Sequence, residues 1–527
     1  MKSSAAITLV MMALTLSSKC IGFVREILMA SYFGTSYVVD AYVMASNIPF
    51  FIFGGLLGAL ATAFIPTYSK IHEEEGKLHA DLFMSRVINI LLVASLIIAA
   101  LGIIFSDQLI FVLAHGWVGN PDMQPAIDLA KFFVKIAFMT IFFSAGSEIF
   151  DAYQRYHHHY YTPIMTAMAY SISIIIFIVI AHHAGNRWLI GGLLAGFVLR
   201  FLLVGLSSRH REYRHKWDFR FTDTVKMVFI LSAPVFVGST IGQIASFVDK
   251  LMASWLPEGS ISALNYSLLV HNLFVMIIGS MIAMYIYPKM ARHFAAGEMS
   301  AWQDKFRKGL GALFSLSIPI CLGCLLYNKQ IIRLVYERNA FDAQATELTS
   351  TVFFYYAIGL ALWIPMTFLV QAFYSTHDTK TPVIIGIICS CINVAGNLLM
   401  IGPFGIRGIS LSTSIAVIIN AIALIVILGK NHPLLIEKNF PKKIIKIICA
   451  AVCAIACSYP VHQIVLKPFP AKEGGIAQLV SLAAAAGAAV IVYLILMKLL
   501  KIEELTYIRE MLPKRGDDPV DLSGPEL

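Results

Sequence analysis

Fourteen stretches of mostly apolar residues, most of them twenty residues or longer, recur along this chain, separated by short polar turns. A helix that crosses the hydrocarbon core of a bilayer needs about 20 such residues. With no water there, each backbone polar group must bond within its own segment. The pattern predicts an all-α polytopic membrane protein with about 14 transmembrane helices. Composition agrees, since only 13% of the 527 residues are charged and the mean hydropathy is +0.75. A soluble domain carries about 25% charged residues, so the outer surface of this chain is itself apolar. The N-terminal apolar run continues past Lys19 to near Phe33 with no convincing cleavage site. It is expected as the first span rather than a signal peptide.

The chain repeats itself. Leu28-Met29-Ala30-Ser31 returns as Leu251-Met252-Ala253-Ser254, each copy two residues after an acid, Glu26 and Asp249. Phe64-Ile65-Pro66 is answered by Tyr287-Pro288, and Tyr161-Thr162-Pro163 by Lys380-Thr381-Pro382. The offset corresponds to six spans, an even number, so the two copies run parallel, related by an axis along the membrane normal. The expected organisation is an N-lobe over 1–216 (spans 1–6), a C-lobe over 217–436 (spans 7–12), spans 13 and 14 over 437–500, and a polar tail over 501–527. Such repeats typify transporters, with a site at their seam. Of the 40 Lys and Arg, 26 fall in loops and tails on the side of both termini, 7 on the opposite side and 7 within or at the edge of spans. That asymmetry predicts cytoplasmic termini. The net charge of +9 is accounted for by these membrane-flanking loops and does not point to nucleic acid.

Several chemistries find no support. No Gly-Lys-Ser/Thr phosphate loop is present. The eight cysteines lie in apolar segments and read as packing residues, Cys321-x-x-Cys324 included. His157-His158-His159 sits in a short loop without a carboxylate or cysteine to complete a metal set. No metal is expected.

The ionisable residues inside spans carry the functional signal, because each costs about 2.5–3.5 kcal/mol or more at the bilayer centre. The first span holds Lys19, Arg25 and Glu26, and the second holds Asp40. On a helix, Glu26 returns beneath Lys19 after seven residues, with Gly22 between them. Lys19 and Arg25 stand about 9 Å apart along the axis. Two readings of this stripe stand: structural ion pairs that fix helix registry, or a cationic site whose charge a phosphate or diphosphate would satisfy. Asp249, Asn265 and His271 are candidates for a second-lobe cavity, and a hydrogen-bonded core role for His271 stays open. Arg86, Lys131, Lys135, Glu148, Asp151 and Arg200 fall near span ends, where long side chains can snorkel.

Gly22-Phe23-Val24-Arg25-Glu26, Phe33-Gly34, Asp40-Ala41-Tyr42 and Ala63-Phe64-Ile65-Pro66 resemble the opening of MurJ (MviN) family lipid II flippases. Asp249, Ala253, Leu256, Gly259-Ser260 and Ala263-Leu264-Asn265-Tyr266 agree in the second copy, and the resemblance covers essentially the whole chain. That family sits in the multidrug/oligosaccharidyl-lipid/polysaccharide exporter superfamily. The resemblance implies two six-helix lobes, a groove for the lipid tail at spans 13 and 14, and alternating access. It implies movement of undecaprenyl-diphosphate-linked disaccharide-pentapeptide to the outer leaflet of a bacterial plasma membrane, in cell-wall biogenesis. It also implies substrate contact by Lys19 and Arg25, tuned by Asp40 and Glu26. Arginines common in the family are absent here, where Phe53-Gly54 and Leu268-Leu269 stand. No cofactor is expected, and membrane potential or an ion gradient would supply the energy. Membrane lipids and cell-wall synthesis enzymes are the expected partners. Rival readings are a flippase for another polyprenyl-linked polysaccharide precursor and a multidrug/cation antiporter.

Overall fold

The computed structural model describes residues 2–210, 213–432, 435, 439–467, 474–502 and 507. Apart from 501, 502 and 507, the expected polar tail lies outside them. Regular structure among the described residues is helical, beyond one isolated bridge between Arg338 and Phe341. The helices are α1 (Lys2–Phe33), α2 (Tyr37–Pro49), α3 (Gly55–Glu75), α4 (Lys77–Ile104), α5 (Ser106–Leu113), α6 (Gln124–Tyr156), α7 (Tyr161–Ala184), α8 (Leu189–His210) and α9 (Asp223–Ala253). There follow α10 (Ser260–Ala295), α11 (Met299–Leu326), α12 (Asn328–Tyr336), α13 (Ala343–Ser375), α14 (Lys380–Phe404), α15 (Ile406–Asn431), α16 (Phe440–Leu466) and α17 (Gly474–Leu499).

Ten of these helices are long and apolar enough to cross a membrane: α4, α7, α8, α10, α11 and α13 through α17. The other four expected spans coincide with α1, α2–α3, α6 and α9. Three of them, α1, α6 and α9, carry several charges each, and the fourth carries Asp40. The fourth is divided by a π-helical turn at Phe50–Gly54, just after Pro49. The sequence predicted one unbroken span there, and the wide turn is the difference. Such turns arise where the backbone ladder takes in an extra residue, and they often mark functional sites.

The chain divides into two compact units. The first comprises Met1–Ala263 with Arg338–Ala345. In it α6 is central, packed against α2, α3, α4 and α8, while α7 lies between α1 and α8 and α9 packs on α3. Its core is aliphatic and aromatic, with Phe64, Phe133, Tyr68 and Tyr153 fully buried. Two turns distant in sequence meet here in one local arrangement. The turn between α1 and α2 contains Gly34 at φ +56°, and the turn before α10 contains Gly259 at φ +87°. A Cβ at Gly259 would stand 2.5 Å from the Thr35 carbonyl oxygen, so only glycine fits this approach.

The second unit comprises Leu264–Glu337 with Thr346–Leu527. Hydroxyl groups join its helices. Ser267 donates to the Thr349 carbonyl at 2.7 Å, Ser317 to Ala361 at 2.9 Å, Ser412 to Asn393 at 2.8 Å and Ser414 to Tyr355 at 2.6 Å. Tyr493 of α17 donates to the Ser315 carbonyl of α11 at 2.7 Å, and Tyr327 bonds Ser458 of α16 at 2.8 Å. Between helices in lipid, close packing and such bonds replace the hydrophobic effect as the cohesive force. Cys321 and Cys324 are buried free thiols, and Cys321 donates to the Ala357 carbonyl in the same manner.

Candidate functional site in the first unit

The first-span stripe forms on α1 as a continuous helix. Arg25 and its neighbour Glu26 pair directly, through Nε at 3.0 Å and Nη2 at 2.5 Å to one carboxylate oxygen. The guanidinium carbon also lies 6.0 Å from the ring centre of Tyr170 on α7. Both side chains are half-buried. Lys19 is exposed and makes no ion pair among the described residues.

A second cation joins this group from α9. Lys250 is buried and donates to the Asn47 side-chain oxygen of α2 at 2.9 Å. The carboxylates of Asp249 and Glu26 both act on its ammonium. Glu26 pairs with Arg25, while Lys250 is bonded to Asn47. One turn beyond Asn47, Phe51 in the wide turn stacks on Phe247 of α9, with centroids 4.5 Å apart and planes at 7°. The cluster brings together Arg25, Glu26, Asn47, Asp249 and Lys250 from three helices. The sequence pointed to Arg25 and Glu26 as substrate contacts and to Asp249 for a cavity. It gave no sign of Asn47, because the partner lies 203 residues away.

Asp40 has a different place. Its carboxylate is 1% exposed, and both oxygens accept backbone N–H groups, from Gly259 and Ser262, each at 2.7 Å. Asp40 thus caps the first turn of α10, supplying the negative charge that a helix N-terminus favours. The favour is returned: Glu258, just before α10, accepts the Tyr37 N–H at the start of α2, at 2.8 Å. Asp40 does not meet the Arg25 pair. Asp40→Ala is expected to lower stability by about 2 kcal/mol, the upper range for a lost N-cap. Thermal unfolding of the purified protein checks this, and an unchanged midpoint would mean that water replaces the cap.

Asn265 and His271 belong to the second unit. Asn265 is half-buried. His271 is fully buried, its ring 4.3 Å from that of Trp363 and 6.0 Å from that of Tyr356. It sits among aromatic rings rather than on an open wall.

Four of the six charges assigned to span ends, Arg86, Glu148, Asp151 and Arg200, are held in partly buried ion pairs, while Lys135 lies 3.8 Å from Asp107 in an exposed one. Arg200 on α8 bridges Glu148 at 2.9 Å and Asp151, both on α6. Arg86 on α4 donates to Asp218 at 2.8 Å. No group of three metal-binding side chains occurs among the described residues, and His157 packs with Tyr68, Tyr153 and Tyr156.

Comparison with known proteins places this geometry. The family model "Lipid II flippase MurJ" matches residues 29–469. A probable lipid II flippase MurJ of Thermotoga maritima is 27% identical over 499 residues, covering 94% of this chain and 96% of its own. One of Rhizobium tropici is 26% identical over 441 residues, covering 81% of each. Among solved structures, lipid II flippase MurJ in an inward closed conformation superposes with a TM-score of 0.80 at 24% identity, over 94% of this chain and 100% of that one. An inward-facing multidrug resistance MATE family transporter of the MOP superfamily gives 0.62 at 14% identity, over 84% and 98%. The structural likenesses establish a shared fold.

Proposed function

This chain belongs to the lipid II flippase MurJ family, and from that premise we propose the route by which it carries lipid II across the membrane. It is a multi-pass transporter rather than an enzyme, and its work is to move a large polar headgroup while the polyprenyl tail stays in lipid. The observation that carries the route is the half-buried Arg25–Glu26 pair, with the buried Asp249 and Lys250 of α9 packed on α2 beside the wide turn.

The chemistry proceeds from charge. A diphosphate carries more negative charge than Glu26 and offers pairs of oxygens that the planar guanidinium forks onto. On arrival it displaces Glu26 from Arg25. Exposed Lys19, further along the same helix, supplies the first attraction. Asn47 and the Phe51–Phe247 stack hold the ammonium and the helix bend in register. The headgroup then passes by alternating access, from the inner leaflet to the outer leaflet of the bacterial plasma membrane. The basic side of fourteen spans, with both termini, faces the cytoplasm. The membrane potential, worth about 2.3 kcal/mol per charge per 100 mV, biases a cationic site between its two faces.

The test is rescue of cells depleted of their own lipid II flippase, scored by growth and by lipid II reachable from outside. Rescue supports the reading. Failure of a folded, membrane-inserted protein would assign it to another polyprenyl-linked glycan, with the missing arginines at Phe53-Gly54 and Leu268-Leu269 as the reason.

A further inference from the structure

Away from the Arg25 cluster, the first unit has a second basic site. A segment without regular structure, residues 213–222, follows α8 and lies along α4. It is strapped down by side chains from one face of that helix. Asn89 donates to the carbonyls of Lys216 and Asp218, each at 2.9 Å. Arg86 holds the Asp218 carboxylate, and Ser85 bonds the Tyr213 hydroxyl at 2.9 Å. Hydrogen bonds from Arg220 and Arg86 hold the Asp218 carboxyl well below the usual range. A carboxylate lowered in this way keeps its bonds above the ordinary range and loses them only as pH falls through the lowered value. The strap is therefore fixed at neutral pH.

Between the strap and the ends of α4 and α8 lies a cavity of about 1430 Å³. Its polar wall carries Lys77, Arg209, Arg214 and Lys216. The last three are exposed and make no ion pair among the described residues. The carboxylate in its lining, Asp81, is engaged by the Tyr68 hydroxyl at 2.7 Å. The opposite wall is apolar and outward-facing, with Leu78, Leu202 and Leu206 each more than half exposed. Beside it the strap presents Trp217, 76% exposed, and Phe219 and Phe221, also exposed. Aromatic residues next to cations in this way mark the headgroup level of a bilayer.

We propose that this cavity is a binding site for an anionic glycerophospholipid, its phosphate on the four cations and its upper acyl chains on the leucines. The fit follows from charge and from amphipathicity together. A free anion would leave the leucine wall uncovered, and a neutral lipid would leave Arg209, Arg214 and Lys216 unmatched. Basic pockets at the ends of spans take anionic headgroups on this principle. The site shares no residue with the flipping route, so it stands whether or not that route is correct.

The experiment uses the purified full chain and native mass spectrometry with phosphatidylglycerol or phosphatidylcholine titrated in. Arg209→Gln/Arg214→Gln/Lys216→Gln is expected to lower phosphatidylglycerol affinity about tenfold or more, with phosphatidylcholine unaffected. The control, Lys442→Gln/Lys443→Gln/Lys446→Gln, removes as many cations near α16 and should lose little. Circular dichroism confirms that both variants fold. Equal loss in both variants, or loss in neither, overturns the site. So does competition by inorganic phosphate alone, which would make it a simple anion site. Displacement by equimolar undecaprenyl diphosphate would make it a port for the transported lipid and would also overturn the proposal.

Discussion

Arg200→Ala lowers the stability of the folded chain by about 3–5 kcal/mol, the usual cost of breaking a buried ion pair from one side. Arg200 bridges Glu148 and Asp151, and Asp151 is 4% exposed in its side chain. Removing the guanidinium leaves two carboxylates on adjacent turns of α6, close together and poorly solvated. They then protonate or draw in water, and either response costs the fold. The effect belongs to the unpaired charge, not to the bridge as such. Arg200→Met combined with Glu148→Gln and Asp151→Asn should therefore recover most of the loss, because a neutral set strands nothing. Thermal unfolding in detergent distinguishes the cases. An unchanged midpoint for Arg200→Ala would show that solvent already neutralises the site.

Arg25→Ala gives the largest functional effect: outward lipid II falls by at least about tenfold, the lower range for one lost charge-assisted bond. The protein itself stays folded and in the membrane. This substitution leaves one half-buried carboxylate without its partner, where Arg200→Ala leaves two. Arg25→Lys should restore part of the activity, since an ammonium supplies the charge without the bidentate fork. The measurement is externally accessible lipid II in depleted cells, with membrane abundance of each variant scored in parallel. Full transport by Arg25→Ala would sink the role assigned to this residue.

What the sequence showed and what it hid follow from distance along the chain. Helical class and the apolar spans depend on local hydropathy, and ten of the expected spans are legible as long apolar helices among the described residues. The pairing of Arg25 with Glu26 is also local. Asp40 stood out as an acid in an apolar segment and read as tuning the substrate site, while the amides it caps lie 219 and 222 residues later. The same holds for Asn47 with Lys250. Arg200 and its two acids read as three separate snorkelling groups, since the 49- and 52-residue separations conceal a shared turn. The strap on α4 was visible only as a basic loop. Its fixed shape comes from Ser85, Arg86 and Asn89, which resemble ordinary polar interruptions of an apolar helix.

The exchange of caps between the turns at 37 and 259 also sets a clock. The amide hydrogens of Tyr37, Gly259 and Ser262 are held by carboxylates from the opposite turn. Bonds to charged acceptors are worth about 1.5–3 kcal/mol each. If the three release together, the open fraction is on the order of one in a thousand or rarer. Deuterium uptake at these amides would then follow a single slow rate, distinct from fraying of either helix alone. That rate would report how often the two turns part during a transport cycle, in a molecule that carries no dye or spin label.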